Sequence, residues 1–478
     1  MTDDEGRTGK GTESARPAKP RNFPPPPLVN ADAAAATVGI DTAAVEAVAA
    51  QSNRKGKILA WGLWDWGSSA FNAVATTFVF TVYITGKSFG ESATVSAELG
   101  WALGIAGIVV FFFAPITGQR SDTSGRRKLW LAVNTAIVVV CLALMFFVQQ
   151  SPNYLLLGLA LLAIGTVVYE FAAVNYNAML AQVSTPRSIG KVSGFGWGMG
   201  YIGGIALLLI VYFGFIHPDV GLFGVTDANG LSVRVSMLIA AAWFAVFAIP
   251  VLFAVPEIKA PSGPRGQRVG FFRSYVVLGK DVARLWKTSR NTVYFLIASA
   301  VFRDGLTGVF TFGGVLAAGS FGFSASEVII FAIAANIVAG VATIATGTLD
   351  DKVGPKPVIV VSLIGLVVCG TLVFVLHSGG QTVFWIFGLA LCLFVGPAQS
   401  ASRSFLARVI PAGREGEVFG LYATTGRAAT FIAPTAFAIF VTVGGSQVWG
   451  ILGIVLILAI GLALLIPVKS KQEVLADR

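Results

Sequence analysis

Six ionisable residues interrupt the long apolar runs of this sequence: Asp65, Glu170, Arg303, Asp304, Arg403 and Arg427. At membrane depth such a group costs at least about 2.5 kcal/mol, so each must face protein or a water-filled cavity. Three acids against three bases make a formally neutral set, which implies pairing across a cavity. Glu170, in IGTVVYEFAAVNYNAML, lies nearest the middle of its run and precedes Asn175, Tyr176 and Asn177. Because burial disfavours a charged carboxylate, this residue has the chemistry to bind and release a proton as a cavity alternates between faces. A structural salt bridge to an arginine is the competing reading. Arg303 and Asp304 are adjacent and on a helix point about 100° apart. Asp304 is therefore expected to cap a break at Gly305 and Gly308, and Arg303 to meet Glu170 or an anionic group of a solute. Asp65 sits among Trp61, Trp64 and Trp66 and precedes Ser68, Ser69 and Asn72. Trp61 reads as an interfacial belt residue, whereas the acid with its polar followers reads as a cavity or gate.

Acids and arginines together with the amides Asn72, Asn175, Asn177 and Gln399 suit a zwitterion such as an amino acid, with one pole for each charge. The aromatic residues Trp64, Trp66, Phe71, Tyr176 and Trp197 suit an amphipathic drug or envelope metabolite instead. A second constellation occurs twice. GQRSDTSGRRK carries Gly118, Asp122, Gly125, Arg126, Arg127 and Lys128; GTLDDKVGPKP carries Gly347, Asp351, Lys352, Gly354 and Lys356. Each copy lies between apolar runs and reads as a short polar loop at a membrane surface. The repetition implies two homologous halves.

The elements that must position these residues follow from composition. Apolar residues make up 55% of the chain and charged residues 12%, with a mean hydropathy of +0.77, values that belong to a polytopic membrane protein rather than a soluble domain. The net charge of +10 is therefore a matter of loop placement, not a sign of nucleic-acid binding. Cys141, Cys369 and Cys392 fall inside apolar runs with no pairing or metal spacing. His217 and His377 stand at the ends of apolar runs with no matching carboxylate motif, and there is no phosphate-binding loop of the Walker type. These absences argue against an enzyme, an ATP-driven pump, a bound metal or a cofactor.

Twelve apolar segments each approach or exceed the roughly 20 residues that span a bilayer. They run over 58–85, 97–117, 129–149, 154–182, 192–215, 233–256, 291–318, 325–348, 357–377, 382–408, 417–442 and 446–467. Lys and Arg concentrate before the first segment, after every second segment and in the connection between the sixth and seventh, while the opposite loops offer Lys87 and Arg234. By the positive-inside rule both termini are cytoplasmic. The expected organisation is a disordered tail over 1–56, a six-helix bundle over 57–256, a basic linker over 257–290, a second bundle over 291–468 and a tail over 469–478. An amphipathic stretch around Phe271 to Trp286 places the linker along the membrane face, in contact with anionic lipid.

The repeated Gly–Asp–Gly–basic motif resembles the signature between the second and third helices of the major facilitator superfamily, with its weaker echo between helices eight and nine. DWGSSAF, VNYNAML, VSGFGWGMGYIGG and the run from Gly396 to Pro434 resemble its vacuole-effluxer-like branch, which includes a fungal vacuolar amino-acid effluxer. The sequence departs from that pattern at Ala181, Gln182 and Arg303, which allows a shift in substrate charge. The resemblance implies an all-α polytopic fold of twelve transmembrane helices in two six-helix bundles, with helices 1, 4, 7 and 10 lining a central cavity. It implies a monomeric secondary transporter of a small-molecule substrate, coupled to protons and working as an effluxer in the plasma membrane. Asp122 is then expected to contact the start of helix eleven, and the Gly118 turn to let two helices approach. Arg403, Arg408 and Arg427 are expected to hold an inner gate by pairing with Asp65 or Glu417.

Overall fold

Hydrocarbon offers the backbone no hydrogen-bonding partner, so an apolar run long enough to cross it becomes a helix that satisfies its own N–H and C=O groups. All twelve runs do so in the computed structural model, which describes residues 54–124, 126–184, 189–256, 271–409 and 415–469. The first bundle contains α1 (Arg54–Ser69, continuing through a π-helical stretch Ala70–Phe78 to Phe80–Ile84), α2 (Ser92–Ser124), α3 (Arg127–Leu144), α4 (Leu155–Ala178), α5 (Ile189–Val211) and α6 (Leu231–Ala254). The second contains α7 (Arg290–Phe321), α8 (Ala325–Val353), α9 (Pro355–Val375), α10 (Gly380–Val383, a π-helical turn Phe384–Gly388, then Leu389–Val409), α11 (Glu415–Ala428 and Ile432–Gly444) and α12 (Gly450–Leu465). Side chains such as Leu156, Phe213 and Phe253 stand exposed, as expected where lipid is the solvent.

The amphipathic stretch forms a surface helix, Phe271–Thr288, which packs on α7 and α2. The two repeated motifs differ from their expected form. They are the ends of long helices rather than loops: α2 remains helical through Ser124 and α3 begins at Arg127, while α8 runs to Val353 and α9 begins at Pro355. Gly118 is therefore within a helix and makes no turn. The reversal in the second copy falls on Gly354, whose φ of 86° only glycine adopts cheaply.

Small residues bring helices together at two levels. On α5, Gly196 and Gly203 face α1 so closely that a Cβ at Gly203 would stand 2.6 Å from the Trp66 carbonyl oxygen. Between the bundles, α2 meets α11 along Gly100, Gly104 and Gly107, and a Cβ at Gly107 would stand 2.7 Å from the Phe431 backbone. Gly314 of α7 is pressed against the Thr77 carbonyl of α1 in the same way. Near the end of this interface Gln447, which is 4% exposed, donates to Ser96 on α2 at 2.7 Å and accepts from Ser320 on α7 at 2.9 Å. These contacts lie in the half of the molecule away from the basic face, so the two bundles are sealed together on that side.

A break in α11 at residues 429–431 is part of this seal. Pro434 has no N–H and its ring collides with the carbonyl four residues earlier, which ends a continuous helix. The second half then starts with unpaired N–H groups inside the protein, and Asp304 of α7 supplies the missing partner by accepting from the Ala433 N–H. The cap expected at Gly305 and Gly308 is thus made in another helix, and a carboxylate at a half-helix N-terminus also meets its positive dipole end. Asp304→Ala should lower the melting temperature of the purified protein, because an orphaned buried donor costs about 1–3 kcal/mol. Asp304→Asn, which keeps an acceptor, should recover part of the loss. Gly107→Val should force α2 from α11 and raise the labelling of a single cysteine placed at Ser96 by a membrane-impermeant thiol reagent. Labelling unchanged by the valine would mean that this contact does not hold the seal.

Candidate functional site

Glu170 and Arg427 meet between the bundles. Arg427 Nε on α11 donates to Glu170 Oε2 on α4 at 3.1 Å, with the two side chains 20% and 24% exposed. Of the three acids and three bases in the apolar runs, these two form an ion pair with each other, so the expected wholesale pairing does not occur. The partial exposure matters to its strength. Exposed pairs contribute about 0–1 kcal/mol, whereas removing one partner of a fully buried pair costs about 3–5 kcal/mol. A pair between these limits is ordered yet breakable.

Arg303 does not reach Glu170. Its guanidinium lies 4.2 Å over the Tyr422 ring, and one nitrogen donates to the Tyr422 carbonyl at 3.3 Å. That position exists because residue 426 is glycine, where a Cβ would stand 2.7 Å from Arg303 Nη1. Tyr422 is fixed in turn by its hydroxyl contact to Ser402 on α10 at 2.7 Å. Arg403, exposed on α10, and Arg427 both act electrostatically on Arg303. Gln399 lies half-buried on α10, the helix that carries Arg403.

The first bundle contributes amides as well as Glu170. Asn72, exposed in the π-helical stretch of α1, donates to the Tyr169 hydroxyl at 2.7 Å. Asn177 is exposed on α4 and bonds back to the Ala173 carbonyl at 2.8 Å. Seven residues separate it from Glu170, which places both on one helical face. Asn175 differs from expectation: it is 1% exposed and donates to the Phe171 carbonyl, away from any cavity.

Asp65 is also not where a gate would need it. Its carboxylate lies against Gly196 and Gly200 of α5 and beside the Tyr176 hydroxyl, not against an arginine. Trp61 and Trp64 are 2% and 1% exposed and sandwich the Tyr176 ring, with centroids 4.5 Å and 4.3 Å away. Trp61 is thus core rather than belt, and Trp64, Phe71 and Tyr176 are packing residues that present no surface to a solute.

Near the basic face the structure places part of the expected inner gate. Arg408 on α10 pairs with Asp350 on α8 at 3.3 Å, within the second bundle. Asp350 stands one residue before the Asp351 of the motif. Arg126 is exposed and Arg127 buried at the start of α3, while Lys352 is exposed near the end of α8. Gly125 lies outside the described residues, as do the side chains of Asp122, Asp351, Trp197 and Glu417 and the surroundings of Gly118 and Gly347.

Sequence reasoning missed Tyr169, Tyr422, Gly426 and Asp350. Tyr422 and Gly426 are four residues apart and so share a helical face beside Arg427, a signal available in LYATTGRAAT. A cavity lined by Phe78, Val309, Phe310, Phe331 and Phe384 is apolar and holds none of these ionisable residues.

Comparison with known proteins gives the family and the fold. The chain is 25% identical over 426 residues to the uncharacterized MFS-type transporter YxiO of Bacillus subtilis (strain 168), covering 87% of this chain and 95% of that one. It is 25% identical over 293 residues to autophagy-related protein 22 of Cryptococcus neoformans var. neoformans serotype D (strain B-3501A), covering 58% of this chain and 52% of the relative, so it spans about half of the fungal protein. The solved D-xylose–proton symporter shares the fold, with a TM-score of 0.60 at 15% identity over 88% of this chain and 98% of that one. A major facilitator superfamily profile matches residues 14–208, and the profile for vacuole effluxer Atg22-like proteins matches residues 181–475. The chain is a multi-pass membrane transporter of the major facilitator fold, not an enzyme, and belongs to the vacuole effluxer Atg22-like family.

Proposed function

We propose that this transporter exports a small amino-acid-like solute by proton-coupled alternating access, with both termini on the cytoplasmic side of the plasma membrane. The observation that carries the reading is the Glu170–Arg427 bridge, which joins helices of opposite bundles at 3.1 Å and is only partly buried. A proton on Glu170 removes the charge that holds Arg427, so one protonation event loosens a contact between the units that must rock. Those units are 57–256 and 291–468, joined by the basic linker over 257–290, whose surface helix rests on anionic lipid. The protein works as a monomer. The seal of α2 against α11 closes the outer face, so the cavity is presented to the cytoplasm, where an exporter loads. Efflux accords with the family's description as vacuole effluxers. The buried state of Trp64, Phe71 and Tyr176 favours a charged solute over a lipophilic drug.

Uptake of labelled neutral, acidic and basic amino acids into proteoliposomes under an imposed proton gradient tests this reading, with a fluorescent cationic drug as comparator. An amino-acid signal that an uncoupler abolishes is expected; movement of the drug alone would replace the reading with lipophile export. Glu170→Gln should eliminate gradient-driven accumulation while exchange continues, and accumulation that survives would remove Glu170 as the coupling group. Asp122→Asn should slow turnover severalfold with little change in apparent substrate affinity, as expected of a contact that changes between states rather than one that binds solute.

A further inference from the structure

The connection between α5 and α6 presents an apolar tip on a tightly determined backbone. The Val225 N–H donates to the Leu222 carbonyl at 3.4 Å, and the Gly221 N–H donates to the Val225 carbonyl at 2.7 Å. Between them Phe223 and Gly224 have φ of 61° and 76°, the two successive positive values of a type I′ turn, which asparagine, aspartate and glycine fill with least strain. A bulky side chain in that conformation is an outlier. Phe223 is nonetheless held there and is 93% exposed, more than any other large apolar side chain among the described residues, with exposed Val220 and Leu222 beside it. The far end of the connection is pinned as well. Asn229 donates to Gln149 Oε1 at 3.1 Å and accepts from the Gln150 N–H at 3.2 Å, and Gly230 stands against the Tyr83 ring of α1 with no room for a Cβ.

The level of the turn says what covers it. The apolar span that includes α5 runs from Gly198 to Ile216, and the turn folds back along its last residues. A Cβ at Gly221 would stand 2.6 Å from the Gly214 carbonyl oxygen, and one at Gly214 would stand 3.3 Å from Leu222 Cδ1. Phe213, next to Gly214, is exposed and ends a stripe with exposed Ile202 and Leu209 along one helical face. Lipid covers that face, and Leu222 and Phe223 continue it. Asp219 and Asp227 are exposed on either side of the tip, so insertion here draws on apolar burial rather than on attraction to anionic headgroups.

We propose that the turn over 220–225 is a membrane-interface anchor: Leu222 and Phe223 insert at the boundary between headgroups and acyl chains, in the leaflet on the side opposite the termini, and fix the depth of α5 and α6 in the bilayer. The strained turn is what aims the ring outward at that level. The anchor is independent of which solute the transporter carries.

The test uses the full chain in phosphatidylcholine nanodiscs, one copy per disc, with Val220→Cys, Phe223→Cys or Ala228→Cys labelled by a membrane-impermeant, environment-sensitive fluorophore. The unsubstituted chain, whose Cys141, Cys369 and Cys392 lie in the spans, gives the background. Nitroxide carried near the lipid headgroup and iodide in the water serve as alternative quenchers. The lipid nitroxide should quench the probes at 220 and 223 at least threefold more than the probe at 228, and iodide should show the reverse order. Phe223→Asn, which suits the turn and removes the ring, should bring the lipid quenching at 220 down to the level at 228 without lowering the melting temperature in detergent. Equal iodide quenching at all three positions would overturn the proposal. So would shielding that appears only in discs holding two copies, which would assign the tip to contact between copies of the chain.

Discussion

Every polar group placed in hydrocarbon must find its partner inside the protein, and most of this structure is an answer to that requirement. It is why each long apolar run is a helix, and why the break in α11 does not stand alone. Pro434 removes a link from the ladder, and a carboxylate from α7 fills the gap at Ala433. The acid is polar in sequence but structural in role. The same requirement separates the other intramembrane charges. Asp65 is taken up by the contact between α1, α4 and α5, while Glu170 and Arg427 answer each other across the boundary between the bundles.

Interfaces between the bundles combine two kinds of contact with different consequences. Along α2 and α11, and where Gly314 meets Thr77, backbones touch through glycine, and such surfaces either fit or do not. They define a closed state by shape, without charge. Between α4 and α11 the contact is instead a partly exposed ion pair. The first kind of contact is fixed by shape, the second by charge. Glycine on α5 serves another purpose: with a Cβ excluded at Gly203 by the Trp66 carbonyl, it holds α1 and α5 together as parts of one unit.

Arg303 shows how several helices fix one side chain. Arg303 is positioned by a ring, a carbonyl and the absence of a side chain at residue 426, three features on one short stretch of α11. Tyr422 is in turn tied to Ser402 of α10, so α7, α10 and α11 cooperate in aiming one guanidinium.

The sequence by itself determined the membrane class, the twelve spans, the repeat and the list of residues with ionisable chemistry, because hydropathy and period are local properties that hydrocarbon enforces. It also put Glu170 and Arg427 among the candidates. What it could not determine was who meets whom. Reading Gly118 to Lys128 and Gly347 to Pro357 as loops hid the helical phase that puts Asp350, beside the expected Asp351, against Arg408. Counting three acids and three bases implied a neutral cavity, yet the packing of α7 on α11 withdrew Asp304 and the packing of α1 on α5 withdrew Asp65. Trp61 and Trp64 looked like belt and cavity and are core, because the Tyr176 ring that separates them comes from a helix more than a hundred residues away. Pairing between distant helices is set by their relative rotation and depth, quantities that no single run of residues encodes, and so which charges meet was decided by tertiary structure alone.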